Sequence, residues 1–195
     1  MPRGPYGVGV RLGIDLDGVV ADFNAGWIEL HRAELGSDLH PDMVTTWDGL
    51  HELGGFADMG AFWRWARGTA DRPSIFRHLE PYPDAIDTLR RLDRAGHEIV
   101  IITTKPRWAR VDTLRWLADH DLPTGEIHIT DDKHRVACDV YLDDSPHVVP
   151  SLVAHRPDAL VCRFVRPWND PVEGAVDVES WASFHAVVTE HSSRS

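Results

Sequence analysis

The sequence predicts an α/β fold: a doubly wound parallel sheet with a small helical cap inserted after the first strand. Three observations predict it. Short β-branched apolar runs alternate with helical patterns over most of the 195 residues, as βα repetition requires. Polar residues Asp15, Thr103 and Asp143 each close such a run, at the carboxyl ends of strands where sheets of this kind bind ligands. Residues 24–77 break the rhythm, carrying helical patterns and the aromatics Trp27, Trp47, Phe56, Phe62, Trp63, Trp65 and Phe76 but no strand-like run.

The elements follow in order. Residues 8–16 (VGVRLGIDL) are apolar and end in carboxylates, which predicts a buried parallel strand. Residues 85–95 (AIDTLRRLDRA) place apolar groups at helical spacing and stop at Gly96, and 97–103 (HEIVIIT) then predict a second buried strand. A helix over about 107–120, strands near 126–129 and 140–142, a helix after Pro146 and a strand at 159–164 continue the alternation. The stretch from Trp181 to Ser195 predicts a helix fraying into a polar tail. The division implied is a core of residues 1–23 and 78–195 with a cap of 24–77, enough chain for one ordinary core.

Composition excludes several partners. A net charge of −11 disfavours a nucleic-acid polymer or an anionic membrane, both of which need clustered Lys and Arg. A small phosphorylated metabolite is still allowed, because one metal ion reverses the local sign. No apolar run is long enough to cross a bilayer, and residues 1–6 lack the regions of a signal peptide. Cys138 and Cys162 form neither a CxxC pair nor a disulfide framework, so core thiols in a reducing cytoplasm are expected. Of 20 Lys plus Arg residues only Lys105 and Lys133 are lysines.

The sharpest signal is the run Asp15-Leu16-Asp17-Gly18-Val19-Val20-Ala21-Asp22. Carboxylates two apart in an extended chain project to one side, and Gly18 permits the tight turn that follows. Two such charges repel unless a cation or a shared proton intervenes, and a hard divalent ion with oxygen ligands, magnesium first among them, resolves the conflict. A solvated acidic cap or a calcium loop is the competing explanation, but the regularly spaced further acids of a calcium-binding hand are absent.

The run resembles the first motif of the haloacid dehalogenase superfamily, and the later residues occur in that superfamily's order: Thr103 closing a strand, Lys133 after Asp131-Asp132, and Asp143-Asp144 closing another. Within it the chain is most similar to the 5'(3')-deoxyribonucleotidases, the cytosolic type C 5'-nucleotidase family. The matching pieces are residues 15–23 (DLDGVVADF), 75–81 (IFRHLEP), 83–85 (PDA), 102–104 (ITT), Asp132-Lys133 and Asp143-Asp144. Little between 24 and 74 matches, and Thr104-Lys105 stands where the family more often has Ser followed by Pro.

The resemblance implies a Rossmann-like core and a phosphomonoesterase. Asp15 is then the nucleophile and Asp17 the general acid/base. Magnesium is held by Asp15, the Asp17 backbone carbonyl and the acid pair, with Asp144 the preferred direct ligand and Asp143 in support. Thr103, Thr104, Lys133 and Lys105 are expected around the substrate phosphate, and Phe23 and Phe76 at the base, sandwiching it if they face each other. The expected partner is a nucleoside monophosphate; a homodimer is left open. A sugar or other small phosphate ester under the same chemistry is the runner-up, and an idle binding module of the same fold the alternative from another class. His31 and His40 lie in the cap segment, where a lone histidine is more often structural.

Overall fold

The computed structural model describes residues 9–194. The expectation about residues 1–6 and the Val8 end of the first strand lie outside the described residues. Six strands form one sheet: β1 (Arg11–Ile14), β2 (Glu98–Thr103), β3 (Glu126–Ile129), β4 (Val140–Asp143), β5 (Leu160–Phe164) and β6 (Val176–Val178). Their order is β3-β2-β1-β4-β5-β6, and every neighbouring pair is parallel. The chain winds outward from β1 on one side and returns to start again at β4 on the other. The crevice between the carboxyl ends of β1 and β4 is therefore the point where strand order reverses, the place such sheets bind ligands.

Strand residues alternate between the two faces, as the period of two demands. Leu12, Ile14, Ile99, Ile101, Val140 and Leu142 enter the larger core, while Val100, Ile102, Tyr141 and Val161 enter a smaller one on the other face. Gly13 of β1 sits against that smaller core, where a Cβ would come within 2.8 Å of Ile102 Cδ1 and 3.0 Å of Tyr141 Cδ1. A side chain there would overpack the contact between strands.

Helices cover both faces. On the larger core lie α4 (Ala85–Arg94), α5 (Arg110–Asp119) and α7 (Trp181–Arg194), burying residues such as Leu89, Leu92, Trp116, Leu117, Phe184 and Val188. The smaller core is closed by α6 (Val148–His155) through Val149 and Leu152. Between β1 and α4 the chain carries α1 (Phe23–Leu35), α2 (Leu50–Leu53) and α3 (Met59–Ala66), with no strand among them.

Helix α1 starts where Asp22 accepts a hydrogen bond from the Ala25 N–H at 3.0 Å and stops at Gly36 with φ 68°, a conformation glycine adopts at no steric cost. Its buried residues are Asn24, Gly26, Trp27, Ile28 and His31, all but Gly26 on the i, i+3, i+4, i+7 stripe of an amphipathic helix. Trp27 meets Phe62 of α3 edge to face at 5.6 Å. The chain's return toward the sheet is pinned at Ser74, whose N–H and hydroxyl both donate to Asp112 of α5, at 3.1 and 2.6 Å.

Sequence patterning does not reveal β6. It is three residues long with only Val178 buried, so neither length nor hydrophobicity marks it. What fixes it is Arg163 of β5, buried and bidentate to Asp177: Nε to Oδ1 at 2.7 Å and Nη2 to Oδ2 at 2.5 Å.

Candidate active site

The carboxyl ends of β1, β2 and β4 bring the motif residues together. Oxygens of Asp15, Asp143 and Asp144 lie within 4.8 Å of one another, and all three residues are buried. Lys133, in the turn after β3, enters between them. Its ammonium donates to Asp143 Oδ2 at 2.7 Å and stands 2.8 Å from Asp15 Oδ1, close enough for an ion pair although not aligned as a hydrogen bond, which leaves that oxygen without a hydrogen-bond donor. Burial alone would lower the Lys133 ammonium, but Asp143 and Asp15 outweigh it and hold it above the ordinary lysine range.

The adjacent acids have different partners. Asp143 has Lys133 on Oδ2 and the Ser145 N–H on Oδ1 at 2.9 Å; burial pushes its carboxyl up to about 6, with Lys133 opposing the rise and Asp15 adding to it. Asp144 has a neutral donor, the indole N–H of Trp168, on Oδ2 at 2.8 Å. Its Oδ1 is buried with no partner, and burial, then Asp143 and Asp15, raise its carboxyl well above the usual range.

Asp144, buried with an orphaned oxygen and raised proton affinity, has no cationic hydrogen-bond partner. A divalent cation supplies the positive charge, and hard oxygen donors are the set it prefers. Asp144 Oδ1 is free to hold it and an Asp15 oxygen lies within 4.8 Å of the Asp144 carboxylate, while Asp143 has both oxygens engaged, by Lys133 and the Ser145 N–H. Gly18 closes the turn after Asp17 with φ +76°, and a Cβ there would stand 2.0 Å from Asp144 Oδ2. Only glycine lets this turn lie against the acid.

Asp17 points elsewhere. Its Oδ2 pairs with the ammonium of Lys105, which in turn lies over the Phe76 ring, 4.1 Å from the centroid. Removal from water, reinforced by Asp15 and opposed by Lys105, raises the Asp17 carboxyl above its ordinary value. Lys105 is thus not brought to the cavity wall with the other residues expected around a phosphate.

Above the acids opens a cavity of about 490 Å³ lined by Asp15, Asp17, Thr103, Thr104, Lys133 and Asp144 at one end and by Phe23, Val44, Trp47, Leu50, Met59, Trp63 and Phe76 at the other. The volume lies within the range of small-molecule sites. Phe23 and Phe76 are in contact, their centroids 5.9 Å apart with planes tilted 32°, so they form one wall and leave no slot between them. His31 lines no part of the cavity: it is buried between Ser37 Oγ (2.7 Å) and the Gly54 carbonyl (3.0 Å). His40 caps a short turn through Asp42 N.

The segment after β5 escapes sequence reasoning. Trp168 lines the cavity besides reaching Asp144. Asn169 Nδ2 donates to the Asp144 carbonyl at 2.7 Å, and Arg166 Nε donates to the Gly18 carbonyl at 2.7 Å while stacked between Tyr82 and Phe164, 4.1 Å from each centroid. The signal available was position: the run Arg166-Pro167-Trp168-Asn169 follows a predicted strand end, as the recognised clusters do. Its residue types carry no acid, hydroxyl or lysine, so chemistry alone does not flag it.

Residues 9–192 match the model of the family described as 5' nucleotidase, deoxy (pyrimidine), cytosolic type C protein. A Chlorobaculum tepidum protein with the provisional name 5'(3')-deoxyribonucleotidase is 31% identical over 156 residues, 73% of this chain and 73% of that one. The human 5'(3')-deoxyribonucleotidase of cytosolic type is 29% identical, over 71% of this chain and 72% of its own. In fold, a haloacid dehalogenase-type hydrolase from Bacillus subtilis solved with magnesium superposes with a TM-score of 0.62 at 13% identity, covering 92% of this chain and 98% of that one. Among the described residues no helix is long and apolar enough to cross a membrane. Parallel sheet, buried acid cluster and family match converge: the chain belongs to the cytosolic type C 5'-nucleotidase family, and is a haloacid dehalogenase-like phosphoric monoester hydrolase.

Proposed function

We propose that the chain is a magnesium-dependent phosphomonoesterase that dephosphorylates (deoxy)ribonucleoside monophosphates through an aspartyl phosphate on Asp15. The observation that carries it is the buried acid cluster, with Asp144 Oδ1 partnerless and Asp15 Oδ1 2.8 Å from the Lys133 ammonium, at the floor of an aromatic cavity.

Asp15 attacks phosphorus in line with the ester oxygen, forming the Asp15 O–P bond as the ester P–O bond breaks, and Asp17 gives its proton to the departing nucleoside oxygen. A water then attacks the aspartyl phosphate, yields its proton to Asp17, and releases phosphate with Asp15 restored. Lys133 offsets charge on Asp15 and on the transferred oxygens, and the Thr103 hydroxyl meets those oxygens, whereas the Thr104 hydroxyl is donated to the Thr130 carbonyl at 3.0 Å. Lys105 holds Asp17 rather than the phosphate. Asp15, Asp144 and the Asp17 carbonyl hold the magnesium ion, with Asp143 supporting through Lys133. When bound, the ion neutralises charge on the phosphoryl group.

Residues 24–77 serve as a cap over the cavity, contributing Val44, Trp47, Leu50, Met59 and Trp63 to its upper wall. Because Phe23 and Phe76 touch, the base stacks against that aromatic wall rather than between the two rings, a contact worth roughly 1–3 kcal/mol. A panel of deoxy- and ribonucleoside monophosphates and sugar phosphates, with and without Mg2+, tests this. Selective, Mg2+-dependent phosphate release from nucleotides is the expected result. Release from sugar phosphates alone sinks the nucleotide assignment while keeping the chemistry, and no release from any ester leaves the chain a binding module.

A further inference from the structure

The two acids that close β4 are chain neighbours, yet one is served by a lysine and the other by an indole. Asp143 has both oxygens engaged, Oδ2 by Lys133 at 2.7 Å and Oδ1 by the Ser145 N–H at 2.9 Å, so neither is open to a cation. The Trp168 indole is a neutral group with one N–H donor and no acceptor. At 2.8 Å it occupies Asp144 Oδ2 without adding charge, and leaves Oδ1 buried and free.

Trp168 is itself held. Asn169 bonds the carbonyls of Asp144 and Phe164 at 2.7 and 2.9 Å, and Arg163, locked onto Asp177, donates to Asn169 Oδ1 at 2.6 Å. Two residues before Trp168, Arg166 holds the Gly18 carbonyl in the turn that follows Asp15 and Asp17. One segment, residues 163–169, thus buttresses both halves of the acid cluster, which belong to strands far apart in sequence.

We propose that Trp168 is a positioning residue for the metal ion: its N–H fixes the Asp144 carboxylate so that Oδ1, and not Oδ2, faces the cation. The inference rests on the divalent-metal reading of the acid cluster. Partners that orient a ligating carboxylate typically govern metal affinity by 10–100-fold.

The test is Trp168→Phe, which keeps an aromatic ring on the cavity wall and deletes the N–H. Mg2+ binding is measured without substrate, by calorimetry on both proteins, alongside the Tm of each in EDTA and the Mg2+ dependence of kcat. The expected result is Mg2+ affinity weakened roughly 10–100-fold, an EDTA Tm close to that of the unaltered chain, and kcat largely restored at saturating Mg2+. Affinity within twofold of the unaltered chain overturns the role of Trp168 and leaves the metal reading standing. No Mg2+ binding by the unaltered chain overturns both. Should the variant not fold, the indole N–H resonance of Trp168 in the unaltered chain decides the matter: it shifts with Mg2+ at the calorimetric half-point if the inference holds, and an unmoved resonance contradicts it.

Discussion

Lys133 and Lys105 are the chain's two lysines, and each ends on a motif aspartate. Lys133 bridges Asp15 and Asp143, whereas Lys105 pairs with Asp17. The pairing opposes the rise of the Asp17 carboxyl caused by burial. Removing the charge with Lys105→Met therefore pushes that carboxyl higher still. Because the proposed acid works protonated, the alkaline limb of the kcat–pH profile should move to higher pH in Lys105→Met, a shift a series of steady-state rates would reveal; an unmoved or lowered limb contradicts the assignment of Lys105 to Asp17. At this scale the sequence is most readable where chemistry restricts residue choice. Carboxylates two apart, a glycine after them and an acid pair closing a strand name their own positions. Asp22 ends the same motif but acts as the N-cap of α1, a difference that spacing does not reveal. Trp168 and Arg166 are unreadable because an aromatic or an arginine has many ordinary reasons to be in a chain.

Helix and strand periodicity places most elements correctly because buried parallel strands are continuous apolar runs and α4 presents a regular stripe, Ala85, Thr88, Leu89 and Leu92. β6 is missed since it is held by pairing with β5 and by the Arg163–Asp177 contact, with Val178 alone buried, so no apolar run marks it. The segment between β1 and β2 reads as helical but not in detail, because its short elements are fixed by contacts: Trp27 meets Phe62 at 5.6 Å and His31 at 5.9 Å, both edge to face. Trp27 is fully buried, so Trp27→Ala should cost about 3–5 kcal/mol. Chemical denaturation would measure it. A loss under 1 kcal/mol would mean that α1 is not anchored by this residue.

At the scale of the molecule, two half-sheets meet between β1 and β4 and bring like charges together in a chain already at −11. Asp143, at about 6, and Asp144, raised well above the ordinary carboxylate range, stand above the unfolded value of about 3.9. The folded state therefore holds protons that the unfolded chain releases. Its advantage is complete below the unfolded value and is lost as pH rises through the folded ones, in metal-free protein. Mg2+ should reverse the trend, since the ion binds ionised ligands. At a hundredfold excess over Kd it adds about 2.7 kcal/mol, a Tm rise of about 5–10 °C for a chain of this size, large at pH 8 and small at pH 5. Thermal melts with EDTA or Mg2+ at both values would check this, and a rise independent of pH would contradict it.

The nucleophile is the claim on which the rest depends. Acid quenching of a reaction with phosphate-labelled substrate, followed by mapping of the modified peptide, tests it most directly. The account predicts an acid-stable, base-labile acyl phosphate on Asp15 in the unaltered chain, absent from Asp15→Asn. Turnover that survives Asp15→Asn, or label on any other residue, would contradict it.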